Sequence, residues 1–349
     1  MAESSISSNP SSTNISYIDS LRIAACFFVV FAHVAGGSAD GFLPFSRAWW
    51  VCKGLFFLCS WTIPVFVMIS GALLLNRSQP SIRAFYRRRI NRIGVPLVFW
   101  TVFYLGVRVV LDQESLTVSQ GLDLLLQGQA YVHLWFFYMI AGLYLVTPFL
   151  QILVKHLSTP QCLILATLIL VAADVFHLCN VMVWGMPSNV FTMFVPFIGY
   201  FLLGHLIHHK WPKGHLPGTW IIGGTAISIL YLLCLARPFI RIEGQQFGIF
   251  LFGFFSAPTA FMAIAVYWAF REACSKPLGP RLKHLASCTL GIYLVHLLML
   301  KLMQILLAKE GSDQDLWIGL VFGTLIAFGL SYGLISILKK LPFVRRIVA

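Results

Sequence analysis

Apolar runs of membrane-span length recur along the chain, separated by short stretches of charge, proline and glycine. In order they predict ten helices, at approximately 21–38, 55–75, 95–111, 134–154, 161–176, 190–208, 219–236, 250–270, 287–307 and 317–338. The longest polar interval, about 112–132, contains Leu122, Leu124, Leu125 and Leu126. That pattern allows either a short interfacial or re-entrant helix or a plain loop. No internal repeat is visible, and the Ser/Asn-rich start lacks a basic n-region and a cleavage pattern. The first run is therefore expected to remain as a span. The predicted organisation is a flexible tail over 1–16, one transmembrane domain over 17–342 and a C-terminal tail over 343–349.

Composition sharpens this picture. Of 349 residues, 58% are hydrophobic and 11% charged, against about 25% charged in soluble proteins. A water-facing surface cannot be built from that remainder, which excludes a soluble enzyme, a disordered chain and a coiled coil. The expected fold class is an all-α integral membrane protein, a bundle of about ten transmembrane helices with short loops. Placing both termini in the cytoplasm puts 17 of the 25 Lys and Arg on that side, as membrane topology requires. The net charge of +13 thus reflects topology, and no free basic face points to nucleic acid. The eight cysteines show no CxxC spacing, so neither a disulfide framework nor a zinc site is expected.

Ionisable residues inside spans are expensive and so mark candidate function. His33 follows Arg22 by eleven residues, about 16 Å along a helix, so Arg22 lies at the cytoplasmic edge and His33 near mid-bilayer. His296, about nine residues into a helix of the same direction, reaches a similar depth. The two could line a buried polar cavity, or each could simply bond a neighbouring helix. Asp19 and Arg22, at i and i+3, can pair or merely mark the membrane edge. Ser70-Gly71 offers a small surface for helix contact or for a ligand approaching the backbone. Arg87, Arg88, Arg89 and Arg92 ahead of Pro96 form the densest basic cluster. Guanidinium forks suit phosphates, and anionic lipid head groups would suit the same cluster. His205, His208 and His209 have helical metal-like spacing but no accompanying acid or thiol, so interfacial histidines are expected and no metal. His133, Trp135 and Tyr138 open the fourth run at the expected outer interface, as an aromatic belt or a sugar-stacking platform. Arg237, Arg241 and Glu243 fit a solvated outer loop or a contact to an anionic acceptor.

Several of these residues fall in blocks that resemble the acyltransferase-3 family of integral membrane O-acyltransferases. Tyr17-Ile18-Asp19-Ser20-Leu21-Arg22 with His33 is similar to its opening signature. Ile69-Ser70-Gly71, Arg89-x-x-Arg92 ahead of Pro96, and Leu290-Gly291-Ile292-Tyr293-Leu294-Val295-His296 follow in the family's order. His133-Leu134-Trp135-Phe136-Phe137 with Tyr144-Leu145-Val146-Thr147-Pro148 looks like the enterobacterial common antigen O-acetyltransferase branch. The resemblance covers nearly the whole chain and suggests the stand-alone membrane form, without an appended hydrolase-like domain.

The resemblance implies transfer of acetyl from cytoplasmic acetyl-CoA to a hydroxyl of an envelope glycan or lipid-linked oligosaccharide, in a bacterial inner membrane. His33, with Arg22 and Asp19, would be catalytic, either as base or as covalent acyl carrier. Arg88, Arg89, Arg92, Ser70 and Gly71 would meet the donor. His133, Trp135, Tyr138, Tyr293 and His296 would line the cavity or acceptor site. Acetyl-CoA is then a substrate, with no bound cofactor expected; membrane lipid is the remaining partner. Asp19 is too far along the same helix to touch His33, so a hydroxyl, backbone carbonyl or water is expected to orient the ring. Ten helices with midplane polar groups also fit a secondary transporter or flippase of a glycan precursor, although paired interrupted halves are missing from the pattern. A purely structural subunit would leave Arg22, His33 and His296 unexplained.

Overall fold

The computed structural model describes residues 16–44, 46–77, 81–180, 184–186, 189–214, 224, 253–307, 316–342 and 344–348. Among these the chain is helical, with no strand. Seven helical stretches are long and apolar enough to cross a membrane: Ser16–Ala39, Arg47–Leu74, Ile82–Val110, Trp135–His156, Thr159–Cys179, Pro280–Leu306 and Leu316–Leu338. The protein is a multi-pass membrane protein. Two further expected spans are shorter helices, and the expected span at 219–236 lies outside the described residues, as do Arg237, Arg241 and Glu243.

The first span is α1 (Ser16–Ala39), which takes in Asp19 and so starts earlier than its apolar run. The expected 55–75 helix is instead two helices in line, α2 (Arg47–Leu58) and α3 (Thr62–Leu74). Ser46 caps α2 by accepting the Trp49 N–H. The break at Cys59–Trp61 follows from Pro64, which has no N–H to continue the ladder and is tolerated only in a first turn. Thr62 Oγ1 closes the break by donating to the Cys59 carbonyl at 2.8 Å.

The basic cluster lies on α4 (Ile82–Arg89), which runs through one π-turn at Ile90–Gly94 into α5 (Val95–Val110). Val95 N–H reaches the Ile90 carbonyl, and Pro96 cannot supply the next bond, so the wide turn takes up the mismatch. The 112–132 interval does form a helix, α6 (Val118–Gln127). Thr117 and Gln120 make a reciprocal capping box, and Gly128 ends the helix at φ 69°.

The remaining described helices are α7 (Trp135–His156), α8 (Thr159–Cys179), α9 (Ile198–His205, continuing as a π-turn to Lys210), α10 (Ala257–Ala273), α11 (Pro280–Leu307), α12 (Leu316–Leu338) and α13 (Arg345–Val348). The expected C-terminal tail therefore packs: Trp100 Nε1 donates to the Ile347 carbonyl at 2.8 Å, and Val348 is buried.

In the bundle, α1 packs on α2, α3, α11 and α12, and α3 crosses α9 at very short range. At that crossing Gly71 faces the Phe201 backbone and Gly204 faces the Met68 backbone, with no room for a methyl group at either position. Close backbone approach through small residues is how membrane helices gain packing energy without a hydrophobic drive.

Candidate active site

Three cavities follow α1 from one end of the bundle to the other. The first, about 420 Å³, opens at the basic end, where Asp19 and Arg22 of α1 meet Arg77, Arg89, Arg92, Ser70, Tyr144, Lys283 and Tyr293. Five cations there face one carboxylate, and Arg22 Nη1 holds that carboxylate at 3.2 Å. Arg89 lies between the rings of Phe85 (5.5 Å) and Tyr144 (5.4 Å), and its buried Nε has no hydrogen-bond partner. A concave, cation-rich wall with donor capacity to spare suits a polyphosphate.

The second cavity, about 370 Å³, lies deeper and is lined by His33, His133, Trp135, Tyr293, Ser60 and Thr62 among apolar groups. Tyr293 lines both this cavity and the basic one. The third, about 720 Å³, opens at the opposite end and includes His33, Gly36, Gly37, Trp49, Trp50, Tyr131 and Gln304. Three ion pairs edge it: Arg108–Glu114 at 2.7 Å, Lys301–Asp112 at 2.6 Å and Lys53–Asp40 at 3.5 Å. Burial, with Asp112 and Glu114 nearby, pushes the Tyr131 phenol up, so it stays neutral and able to donate. His33 lines both the second and third cavities. Each neighbouring pair of cavities therefore shares a polar side chain.

His33 and His296 meet, with ring centroids 5.1 Å apart, but His296, expected to line the cavity, is fully buried and lines none of the three. His133 joins them, 5.4 Å from His296. Of the readings open for this segment, the structure places His133 at the wall of the central cavity, where the resemblance put it, and not at an exposed interface. It is 1% exposed, its Nε2 lies 3.2 Å from the Leu294 carbonyl, and its own carbonyl accepts the Tyr293 hydroxyl at 2.7 Å. Partners some 160 residues distant draw this segment inward, and no local pattern could reveal them. Tyr104 reinforces the arrangement by donating to the Leu294 carbonyl at 2.6 Å.

Other expected site residues separate. Arg88 is exposed and does not line the basic cavity, whereas Arg89 and Arg92 do. Ser70 lines it too, but Gly71 faces α9. Tyr138 bonds Thr101 at 3.0 Å and lines none of the three cavities. Sequence reasoning missed Arg77 and Lys283, which stand on α3's exit and α11's first turn; their place in two basic clusters was the available signal. His208 pairs through Nδ1 with the Tyr17 hydroxyl, and His209 Nε2 meets the Ala72 carbonyl at 2.8 Å.

Comparison with known proteins gives the class of chemistry. No curated protein and no solved structure matches the chain. A family profile described as an acyltransferase domain matches residues 15–336, from the start of α1 nearly to the end of α12. A bundle of membrane helices carrying a cation-rich cavity, an intramembrane histidine and that profile over most of its length belongs to the acyltransferase-3 family of membrane acyltransferases.

Proposed function

We propose that the protein transfers acetyl from acetyl-CoA, docked at the basic cavity, to a hydroxyl of an envelope glycan entering from the opposite end. The observation that carries this reading is the series of shared residues: Tyr293 between the basic and central cavities, His33 between the central and outer ones. Donor and acceptor approaching from opposite faces would converge at His33. The basic end faces the cytoplasm by the distribution of Lys and Arg, which puts both termini there and suits a bacterial inner membrane. The likeness of residues 133–148 to the enterobacterial common antigen branch favours a glycan or lipid-linked oligosaccharide acceptor.

In this mechanism Arg22, Arg89 and Arg92, with Arg77 and Lys283, hold the donor phosphates, and Asp19 orients Arg22. The acceptor O–H gives its proton to His33 as its oxygen attacks the thioester carbonyl. The O–acetyl bond forms, the C–S bond breaks, and the departing CoA thiolate takes the proton back from His33. If His33 instead carries the acetyl, the same bonds exchange in two steps through an acyl-imidazole. Trp49, Trp50 and Tyr131 offer the outer cavity's aromatic surfaces to a sugar.

Charge-assisted bonds are worth about 1.5–3 kcal/mol each, so Arg89→Gln with Arg92→Gln is expected to weaken acetyl-CoA binding at least about 100-fold in correctly inserted protein. Arg88→Gln, outside the cavity, leaves affinity unchanged. Equal affinities for all three proteins, measured by calorimetry in detergent, would remove the donor from this site. The function itself is tested by glycan mass spectrometry of a strain lacking the gene: acetyl increments disappear on the substrate glycan and return with the wild-type gene. An unchanged acetylation pattern contradicts the reading.

A further inference from the structure

Among the described residues no carboxylate pairs with His33, but it stands against one buried imidazole, His296, which in turn meets a second, His133, and each of those two rings has a nitrogen without a partner. His296 is fully buried, and its Nδ1 lies 2.6 Å from the Tyr293 carbonyl oxygen. A carbonyl only accepts, so the His296 proton is on Nδ1 and Nε2 carries a lone pair. That Nε2 is buried with no hydrogen-bond partner. His133 repeats the arrangement with its nitrogens exchanged: Nε2 faces the Leu294 carbonyl, and Nδ1 is buried without a partner. An unpaired imidazolium is costly in such a site, so both rings are neutral. A buried lone pair is also costly unless a donor reaches it.

His33 is the neighbouring ring able to supply a donor. A linear N–H···N bond between two imidazoles spans an N–N distance of about 2.9 Å plus roughly 1 Å from each nitrogen to its ring centre, about 5 Å in all. The observed His33–His296 centroid separation is 5.1 Å. The rings are inclined at 46°, and a bond of that length fits their separation as it stands.

We propose that His296 is the positioning residue for His33: its Nε2 accepts the His33 ring N–H while the Tyr293 carbonyl holds His296 from behind. His33 is thereby fixed in one tautomer, with its second nitrogen unprotonated and turned to the cavities its side chain lines. A carbonyl–His–His series takes the structural part that a carboxylate plays in a serine-hydrolase triad, namely holding tautomer and orientation. No proton passes between the rings; the bond only strengthens as His33 gains positive charge. This inference rests on His33 being the group that receives the acceptor proton, as proposed above.

The test compares His296→Phe, which keeps volume and removes the acceptor, with His296→Gln, whose side-chain oxygen can stand near Nε2. The assay is acetyl transfer from acetyl-CoA by the full chain in native membranes. The Phe variant is expected to lower kcat about 100-fold with KM for acetyl-CoA unchanged, and the Gln variant to recover most of that loss. If the Phe variant inserts poorly, His296→Leu replaces it. A merely structural His296 predicts the reverse order, with Phe tolerated and Gln unstable; that result overturns the proposal. Nitrogen-15 NMR of the His33 ring provides a readout independent of turnover. Wild type is expected to show one hydrogen-bonded tautomer, and the Phe variant a mixture. Identical His33 spectra overturn the inference even if transfer is robust. Absent transfer in wild type with the expected spectral change would instead contradict the proposed function and leave the His–His bond standing.

Discussion

Replacing His33 with alanine is expected to abolish acetyl transfer while the protein still inserts and folds. The residue sits about three-quarters along α1, roughly 16 Å beyond Arg22, where the central and outer cavities share its side chain. Loss of a general base typically costs 10²–10⁴-fold in rate, and loss of a covalent carrier costs more. Packing suffers little, because the ring borders open space on two sides and α1 is anchored elsewhere by Ile18, Leu21, Ala25, Cys26 and Val30, all fully buried. A structural histidine would give the opposite signature, with falling stability and retained turnover per folded molecule. Glycan acetylation normalised to folded protein separates these. Retention of more than about a tenth of wild-type turnover, against that expected loss, would remove His33 from the chemistry.

A comparable effect, on folding rather than on rate, is expected from Gly71→Ala. A methyl group there would overlap the Phe201 carbonyl, and one on Gly204 would overlap the Met68 carbonyl. Overpacking between side chains costs about 1–3 kcal/mol. Here the obstacle is backbone on a second helix, which no rotamer change can clear, so α3 and α9 must separate along their contact. Either single variant should lower the melting midpoint in detergent and the yield of folded protein. The double variant should cost less than the sum, since the first substitution already opens the crossing. Ser70→Ala, one residue away, removes only a bond to its own helix at the Phe66 carbonyl and serves as the control. Wild-type midpoints for Gly71→Ala and Gly204→Ala would contradict the close crossing.

These two predictions mark what the sequence made legible. Arg22 and His33 lie on one helix, so their separation follows from helical rise alone. The meeting of His33 with His296 followed from depth, because two helices of the same direction reach the same level after similar lengths. The α6 helix was legible in principle through Thr117, Gln120 and Gly128, whose cap chemistry outweighs the polar surroundings. Gly71 was ambiguous because a small residue serves backbone packing and ligand approach equally well; only the position of α9 decides it. The interruption between α2 and α3 was hidden because Arg47, Lys53 and Gly54 make the first segment look like a loop. For His133 the residues alone left the outer interface open and only the family resemblance pointed to a cavity, because its aromatic neighbours match an interfacial belt while its bonds are to residues on α11. Arg77 and Lys283 come from separate elements, and only the folded bundle brings them to the wall that holds Arg89.

The central claim is that acetyl leaves a donor at the basic end and reaches a hydroxyl arriving from the other. The most direct measurement uses sealed vesicles carrying the purified protein, with acetyl-CoA labelled in its acetyl group supplied to the Arg89/Arg92 face and the envelope glycan fraction to the opposite face. The account predicts alkali-labile labelled ester on the glycan across the membrane, with free CoA accumulating on the side of addition. Glycan appearing on the other side without labelled ester, or label confined to the face that received acetyl-CoA, would contradict it.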